Sequence, residues 1–114
     1  MEILIKNTSL KFQSVHVEEL TIENVIYPNS PKVTDFNMVA GKTYYIKWVS
    51  ASKVQSVTDT KRIFVNGDTS IVAYINLGGD YVKFEPVTSG SMVFFAGSTE
   101  YDLGDCVFYI KIID

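Results

Sequence analysis

Short apolar segments rich in Val, Ile, Tyr and Phe alternate along the chain with turns that contain Gly, Asn, Asp and Pro. Segments of this length and composition are typical of β-strands. No stretch keeps an apolar period of about 3.6 residues over the length of a helix. The pattern predicts nine strands, at residues 2–6, 14–24, 34–39, 43–49, 62–65, 70–77, 81–86, 91–96 and 106–113.

The turns between these segments indicate how the strands connect. Asn66-Gly67 and Gly78-Gly79 predict tight hairpins, because Asn and Gly readily adopt positive φ angles. The Pro-Asn-Ser-Pro segment at 28–31 predicts a rigid crossing between two sheets. Together these features predict an all-β fold, an antiparallel β-sandwich of jelly-roll type with about eight to nine strands. The chain length of 114 residues predicts one domain over residues 1–114.

The alternation of apolar and polar residues predicts which side chains are buried. In the strand at 43–49, Trp48 shares a face with other apolar residues and is predicted to lie in the core. In the strand at 14–24, Val15 and Val17 have one parity, whereas Leu20 and Ile22 have the other. This switch predicts a β-bulge or a bend at the Glu-Glu pair between them.

Three predicted strands, at 70–77, 91–96 and 106–113, are apolar on both faces. A strand of this kind is normally covered on both faces, but a two-layer sandwich covers only one face of each sheet. The uncovered side therefore predicts contact with another protein subunit, with loops of the same chain as the alternative cover. The predicted interface residues are Val72, Tyr74, Val93, Phe95, Val107 and Tyr109.

The charge of the chain argues against two classes of partner. The net charge is −3, whereas nucleic acids and anionic membranes are bound by clustered Lys and Arg. No apolar stretch approaches the roughly 20 residues of a membrane-spanning helix. The N-terminal sequence Met-Glu-Ile-Leu-Ile-Lys does not resemble a secretory leader. We therefore expect a protein made in the cytoplasm that binds neither nucleic acid nor membrane.

The chemistry-bearing residues argue against an enzyme. His16 is the only histidine and Cys106 the only cysteine, so neither a histidine-rich zinc site nor an internal disulfide can form. Cys106 lies in an apolar run and is expected to be a buried small hydrophobic residue. Gly41-Lys42-Thr43 lacks the upstream Gly of a phosphate-binding loop and precedes a strand. The sequence predicts a non-enzymatic protein without a cofactor.

Two groups of side chains could bind something other than protein. Acidic residues near the last strand are weak candidates for calcium ligands, although Asp also occurs in turns for its geometry: Asp80, Glu100, Asp102 and Asp105. Tyrosines predicted to face solvent could stack on a sugar, although outward Tyr is common in strands: Tyr45, Tyr81 and Tyr101.

At residues 36–48, an apolar segment is followed by Ala-Gly-Lys-Thr-Tyr and then by an alternating strand. This arrangement resembles the jelly-roll modules of bacteriophage virion proteins and carbohydrate-binding domains. The ending at 107–112 is similar to the closing strand of such modules. The resemblance implies a virion structural or decoration protein: a capsid auxiliary, tail or fibre component that forms homo-oligomers or binds capsid or tail proteins. Such a protein would be made in the host cytoplasm and reside in the virion. The alternative it implies is a carbohydrate-binding module whose partner is a glycan.

Overall fold

Eight strands account for most of residues 15–26, 30–97 and 102–113, the parts of the chain that the computed structural model describes. They are β1 (Val15–Val25), β2 (Lys32–Met38), β3 (Thr43–Ala51), β4 (Lys61–Val65), β5 (Asp68–Ile75), β6 (Val82–Phe84), β7 (Gly90–Phe95) and β8 (Gly104–Ile113). Each predicted strand within these ranges is confirmed to within about two residues at either end. The predicted strand at 2–6 lies outside the described residues.

The strands form two four-stranded antiparallel sheets that pack face to face. Sheet 1 has the order β1-β8-β3-β6, and sheet 2 has the order β2-β7-β4-β5. The chain passes from one sheet to the other at every connection except that between β4 and β5. This winding is that of a jelly roll, so the predicted β-sandwich of jelly-roll type is confirmed.

The two predicted hairpins have different outcomes. Asn66-Gly67 joins β4 to β5, which pair in sheet 2, and Gly67 has the positive φ of 85° that a tight turn requires. Gly78-Gly79 instead joins β5 in sheet 2 to β6 in sheet 1, so the hairpin predicted there is wrong. A local Gly signal specifies a reversal of the chain, but whether the two strands then pair depends on the sheet that each strand joins.

An aromatic cluster holds the two sheets together. Trp48 of sheet 1 packs against Phe94 of sheet 2 and Phe108 of sheet 1, at 5.2 and 6.0 Å between ring centroids. Phe94 and Phe108 are 4.9 Å apart. The Trp48 indole N–H donates to the Ser50 carbonyl at 3.1 Å, which satisfies its polar atom inside the core. The predicted burial of Trp48 is confirmed.

The first strand departs from prediction. β1 pairs with β8 without interruption from Val15 to Ile22, and its register shifts only after Ile22, before Val25. The bulge predicted at the Glu-Glu pair is therefore wrong. Leu20 and Ile22 face the core, whereas Val15 and Val17 lie on the opposite face and are 53% and 55% exposed. The change of parity therefore shows that the apolar side chains lie on one face at the beginning of this regular strand and on the other face farther along.

Candidate protein-interaction face

The outer face of sheet 1, which points away from sheet 2, combines apolar, aromatic and charged side chains. Residues directly opposite each other in antiparallel strands share a face, so the register defines two rows across the sheet. One row contains Val17, Lys111, Tyr45 and Lys83, and the next contains Glu19, Tyr109 and Lys47.

The β1 side of this face is apolar and exposed. Val15 and Val17 point outward from an edge strand of 11 residues, and Tyr109 of the adjacent strand β8 is 38% exposed. Beyond β8, β1 has no strand partner among the described residues. A long edge strand with outward β-branched side chains offers both unpaired backbone groups and apolar surface to another chain.

The β3 and β6 side of the same face is basic and aromatic. The Lys111 ammonium lies 4.5 Å from the centre of the Tyr81 ring, and that of Lys47 lies 5.6 Å from it, so both make cation–π contacts. Within the described ranges, neither ammonium has a carboxylate close enough for an ion pair. Lys47 and Lys111 thus carry positive charge that no described carboxylate neutralises, whereas the Lys83 ammonium on the same side lies 3.8 Å from the Glu85 carboxylate.

Acidic side chains lie on the β1 and β2 side of the sandwich. Glu19 and Glu23 of β1 and Asp35 of β2 make no ion pair with any described residue. The Glu18 carboxylate is 3.4 Å from the His16 ring, and both side chains are half-exposed. On the outer face of sheet 1, the acid Glu19 of β1 therefore lies on one side of β8 and Lys47 of β3 on the other.

An open cleft explains why these acids reach solvent. β1 and β2 lie on the same side of the sandwich but belong to different sheets, and the cleft between them is lined by residues that include Leu20, Lys32 and Asp35. Farther along, its lining includes Glu18 and Phe36. Positions that would be buried in the middle of the sandwich are accessible at this side.

The structure divides the predicted interface residues between two surfaces. Val107 and Tyr109 lie on the outer face of sheet 1, whereas Val72, Tyr74, Val93 and Phe95 belong to strands of sheet 2. These two outer faces point in opposite directions, so the predicted residues do not form one patch. Tyr74, on the edge strand β5, is 58% exposed and remains available to a partner.

Val93 differs from the prediction most clearly. Only 1% of its surface is exposed, so the expectation that it needs cover from another subunit is wrong at this position. It lies between Val33 and Phe64 on a central strand of sheet 2, and neighbouring side chains in the same sheet crowd such positions. Phe95 is half-buried, with the Arg62 guanidinium 5.7 Å from its ring centre.

Sequence reasoning missed the exposed side chains of Val15, Val17 and Val33. The parity switch in β1 is the sequence signal for the first two residues, because it places them on the face opposite Leu20 and Ile22. Val33 precedes the predicted strand at 34–39, so that prediction assigns it to no face. Apolar positions near the beginning of an edge strand look the same in sequence as core positions.

Two of the tyrosines proposed for sugar stacking lie on the sheet 1 outer face. Tyr45 is half-buried between Lys83 and Lys111 in its row. Lysine ammonium groups occupy positions against the Tyr81 ring, where a sugar would have to displace them. Tyr101 lies outside the described residues. This arrangement gives the glycan hypothesis no support beyond the shared location of Tyr45 and Tyr81.

The acidic residues considered for calcium have partners within the chain. Asp102 accepts hydrogen bonds from the Lys53 ammonium and the Gly104 backbone N–H, both at 2.8 Å. The hydrogen bond from Lys53 lowers the pKa of Asp102, and the same bond raises the pKa of Lys53. Asp102 therefore acts as an acceptor that orders the beginning of β8.

The other calcium candidates are similarly engaged or not described. Asp80 accepts a hydrogen bond from the Tyr81 N–H at 2.8 Å, and Asp105 accepts one from the Asn24 N–H at 3.1 Å. Glu100 lies outside the described residues. Among the residues that the structure describes, no three His, Cys, Asp or Glu side chains form a group able to hold a metal ion. Local turn geometry accounts for Asp80 and Asp102, and a hydrogen bond between the strands β1 and β8 accounts for Asp105.

Cys106 is buried, as predicted. Burial raises the pKa of its thiol to about 12, so the thiolate is scarce at neutral pH. No helix with the length and apolar character needed to span a bilayer occurs in the described ranges.

Comparison with known proteins does not assign this chain to a family. No protein-family model matches the chain, and no curated protein matches it either. A solved structure from work on Bacillus endospore appendages, described as a novel family of disulfide-linked pili, is similar over 97% of this chain and 98% of that chain. The sequence identity is 8% and the TM-score 0.46, and similarity at this level does not indicate what the present chain does.

Proposed function

We propose that this protein is a non-enzymatic structural protein that assembles through contacts with other protein subunits. The observation that carries the proposal is the outer face of sheet 1, where Val15, Val17 and Tyr109 are exposed on neighbouring strands. Exposed apolar side chains that adjoin each other on a sheet mark interaction surfaces, because their burial against a partner is favourable. Among the described residues, β1 has no strand partner on the side away from β8, and this edge adds backbone groups that a partner can bind.

We further propose that the assembly is a virion component, such as a capsid decoration, tail or fibre subunit. Jelly rolls with this winding are common among viral capsid domains, and they also occur in lectins. The stretch at 36–48 that resembles phage modules spans the end of β2, the turn at Gly41 and most of β3. The second such stretch, at 107–112, lies in β8, which pairs with β3.

The non-enzymatic part of the proposal rests on the nucleophiles and bases that the chain contains. The Cys106 thiol is buried and has a raised pKa, which disfavours a nucleophilic role. His16, the only histidine, lies on the edge strand β1 beside Glu18. A nucleophile, base and oriented third group within hydrogen-bonding distance of one another are the usual signature of covalent catalysis. Among the described residues, His16 does not lie within hydrogen-bonding distance of both a nucleophile and a group that would orient it.

Sedimentation velocity of the full chain over a wide concentration range tests the proposal. We expect species larger than the monomer, and we expect Val17→Ser to shift the distribution toward the monomer. Val33→Ser is the matched control, because Val33 is 55% exposed on the outer face of the other sheet. A strictly monomeric wild-type protein at every concentration would contradict assembly of this chain with itself.

A glycan array distinguishes the alternative function. If the wild-type protein is retained on a defined glycan and Tyr45→Ala and Tyr81→Ala lose that retention, the chain is a carbohydrate-binding module. We expect no retention, because lysine ammonium groups lie against the Tyr81 ring. Neighbouring genes that encode capsid or tail proteins would independently favour the virion assignment.

A further inference from the structure

We propose that the outer face of sheet 1 docks on the same face of a second copy of this chain, related by a two-fold axis parallel to β8. This proposal rests on the proposed function and specifies the partner and the geometry. A two-fold interface requires a self-complementary surface, on which residue i meets residue j and residue j meets residue i. The row Glu19, Tyr109 and Lys47 has this property.

The charges in that row are ordered for self-pairing. Glu19 on β1 and Lys47 on β3 flank Tyr109 on β8, and neither has an ion-pair partner among the described residues. A two-fold axis along β8 exchanges the β1 side of one copy with the β3 side of the other. Glu19 then lies opposite Lys47 of the second copy, and the same pair forms again on the other side of the axis. Such complementary charges specify orientation and partner.

The apolar and aromatic residues fit the same arrangement. The axis brings Tyr109 against Tyr109 of the second copy and Val17 opposite its Tyr45, because these residues share rows across the strands. Aromatic residues at the centre of an interface, surrounded by charged pairs, form the usual arrangement of a stable contact. Stacked sheets lie about 10 Å apart, a distance that side chains of this size span.

Lys111 is the positive charge nearest the axis, and its position reduces repulsion between the two copies. Its ammonium lies 4.5 Å from the Tyr81 ring, which precedes β6 on the far side of β3. The Lys111 ammonium is therefore directed away from β8 toward the β6 edge of the sheet. In the docked pair, that edge faces the β1 side of the second copy, where Glu19 and Glu23 lie.

The outer face of sheet 2 lacks this self-complementarity. Its comparable row contains Phe95, Arg62 and Tyr74, with a cation and no acid. A two-fold contact there would bring Arg62 of both copies close together without a carboxylate. Val93, on the central strand β7 of the same face, is also already buried. The row therefore provides control positions with a similar composition and no predicted role in docking.

Charge reversal tests the pairing directly. Glu19→Lys and Lys47→Glu should each weaken dimerisation about tenfold or more, because each places like charges opposite one another twice. The double variant Glu19→Lys/Lys47→Glu should restore the wild-type constant, since the pair is re-formed with its signs exchanged. Arg62→Glu is the control and should leave dimerisation unchanged. Thermal unfolding of each variant shows whether a loss of dimer reflects a loss of fold.

Site-specific crosslinking tests the two-fold axis. In Tyr109→Cys, a short bis-maleimide should link two copies efficiently, because position 109 meets itself at the axis. Tyr74→Cys should not be linked above background, although Tyr74 is the more exposed residue. The buried thiol of Cys106 is not expected to react in either variant.

The outcomes separate the two proposals. If the wild-type protein self-associates but the charge reversals have no effect and Tyr109→Cys is not crosslinked, the sheet 1 dimer is wrong and assembly through another surface remains. If Glu19→Lys and Lys47→Glu each weaken the dimer and the double variant does not restore it, the two residues do not pair. If the wild-type protein is monomeric at all concentrations, both the dimer and the self-assembly of this chain are wrong.

Discussion

The centre of the sandwich and its β1 edge use apolar side chains in opposite ways. At the centre, Trp48, Phe94 and Phe108 lie in contact across the two sheets and are fully buried. At the edge, Val15 and Val17 of β1 are also apolar but point into solvent. β3 and β8 have strands on both sides, whereas β1 has one only on the β8 side among the described residues. Val15 and Val17 are exposed because they lie on the face that sheet 2 does not cover, whereas Ile22 of the same strand faces the core and is 7% exposed.

The largest expected change in stability concerns the aromatic cluster at the centre of the sandwich. Trp48→Ala removes a buried aromatic side chain that contacts both sheets, and we expect a loss of about 3–5 kcal/mol in the free energy of unfolding. Val17→Ala removes an exposed side chain and should change that free energy by less than about 0.5 kcal/mol. Urea denaturation of both variants under monomeric conditions measures the difference. If both variants lost the same free energy of unfolding, the side chain of Val17 would be buried in solution.

Gly104→Ala tests the connection between the centre and β1. Gly104 has a φ of +71°, and a Cβ atom there would meet the side chains of Ser52 and Lys53. The Ser52 hydroxyl accepts a hydrogen bond from the Asp105 N–H at 2.9 Å, which this crowding would disturb. We expect a loss of about 2–4 kcal/mol from backbone strain and overpacking together.

Gly97→Ala is the matched control for that substitution. Gly97 has almost the same φ, +70°, but a Cβ atom at this position would have nothing within 4 Å. It should therefore show only the backbone cost of about 1–2 kcal/mol. If the two alanine variants were equally stable in thermal unfolding, contact with Ser52 and Lys53 would have no energetic effect.

Lys61→Met examines a charge at the rim of the core. Lys61 is 4% exposed, and burial lowers the pKa of its ammonium, although the nearby charge of Asp59 opposes this shift. Below the lowered pKa, the folded state must keep a poorly solvated charge. Replacement by Met should raise the free energy of unfolding at neutral pH by about 1 kcal/mol. Lys83→Met, at an exposed position on β6, should not raise the free energy of unfolding comparably.

The pH dependence of the same variants provides a second measurement. Between the lowered pKa of folded Lys61 and the ordinary value of 10.5, the unfolded state binds more protons than the folded state. The contribution of Lys61 to stability therefore rises with pH in this window. Lys61→Met should remove that rise. An identical stability profile for wild type and Lys61→Met at alkaline pH would contradict the burial of the charge.

The smallest expected effect concerns an exposed carboxylate on the other sheet. Asp68 accepts hydrogen bonds from the Ser70 and Thr88 side chains, and these bonds lower its pKa to about 2. Because the folded-state pKa is depressed, this contribution to stability is present above the unfolded value of 3.8 and is lost as the pH falls toward about 2. Asp68→Asn should flatten the acid limb of the stability curve between these values. Thr88→Val, which removes one of the bonds, should flatten it only in part.

Local chemistry accounts for the predictions that were confirmed. The predicted strands within the described residues, the turn at Asn66-Gly67, and the burial of Trp48 and Cys106 follow from β-propensity, positive φ and alternation. Each depends on a few neighbouring residues, so it can be recognised in the chain. Two predictions that failed, a hairpin at Gly78-Gly79 and free surface at Val93, depend on which strands become neighbours. The third, a bulge in β1, failed because a regular strand can carry apolar side chains on one face at its beginning and on the other face farther along.

The sequence by itself determined that the chain forms short strands, the position of each to within about two residues, and which alternate positions share a face. Only the tertiary structure decided which face is covered, because that depends on sheet order and on distant pairings such as β1 with β8 and β3 with β8. The placement of Glu19, Tyr109 and Lys47 in one row is a result of this kind. The physical reason is that alternation distinguishes the two faces of a strand locally, whereas burial depends on what packs against each face.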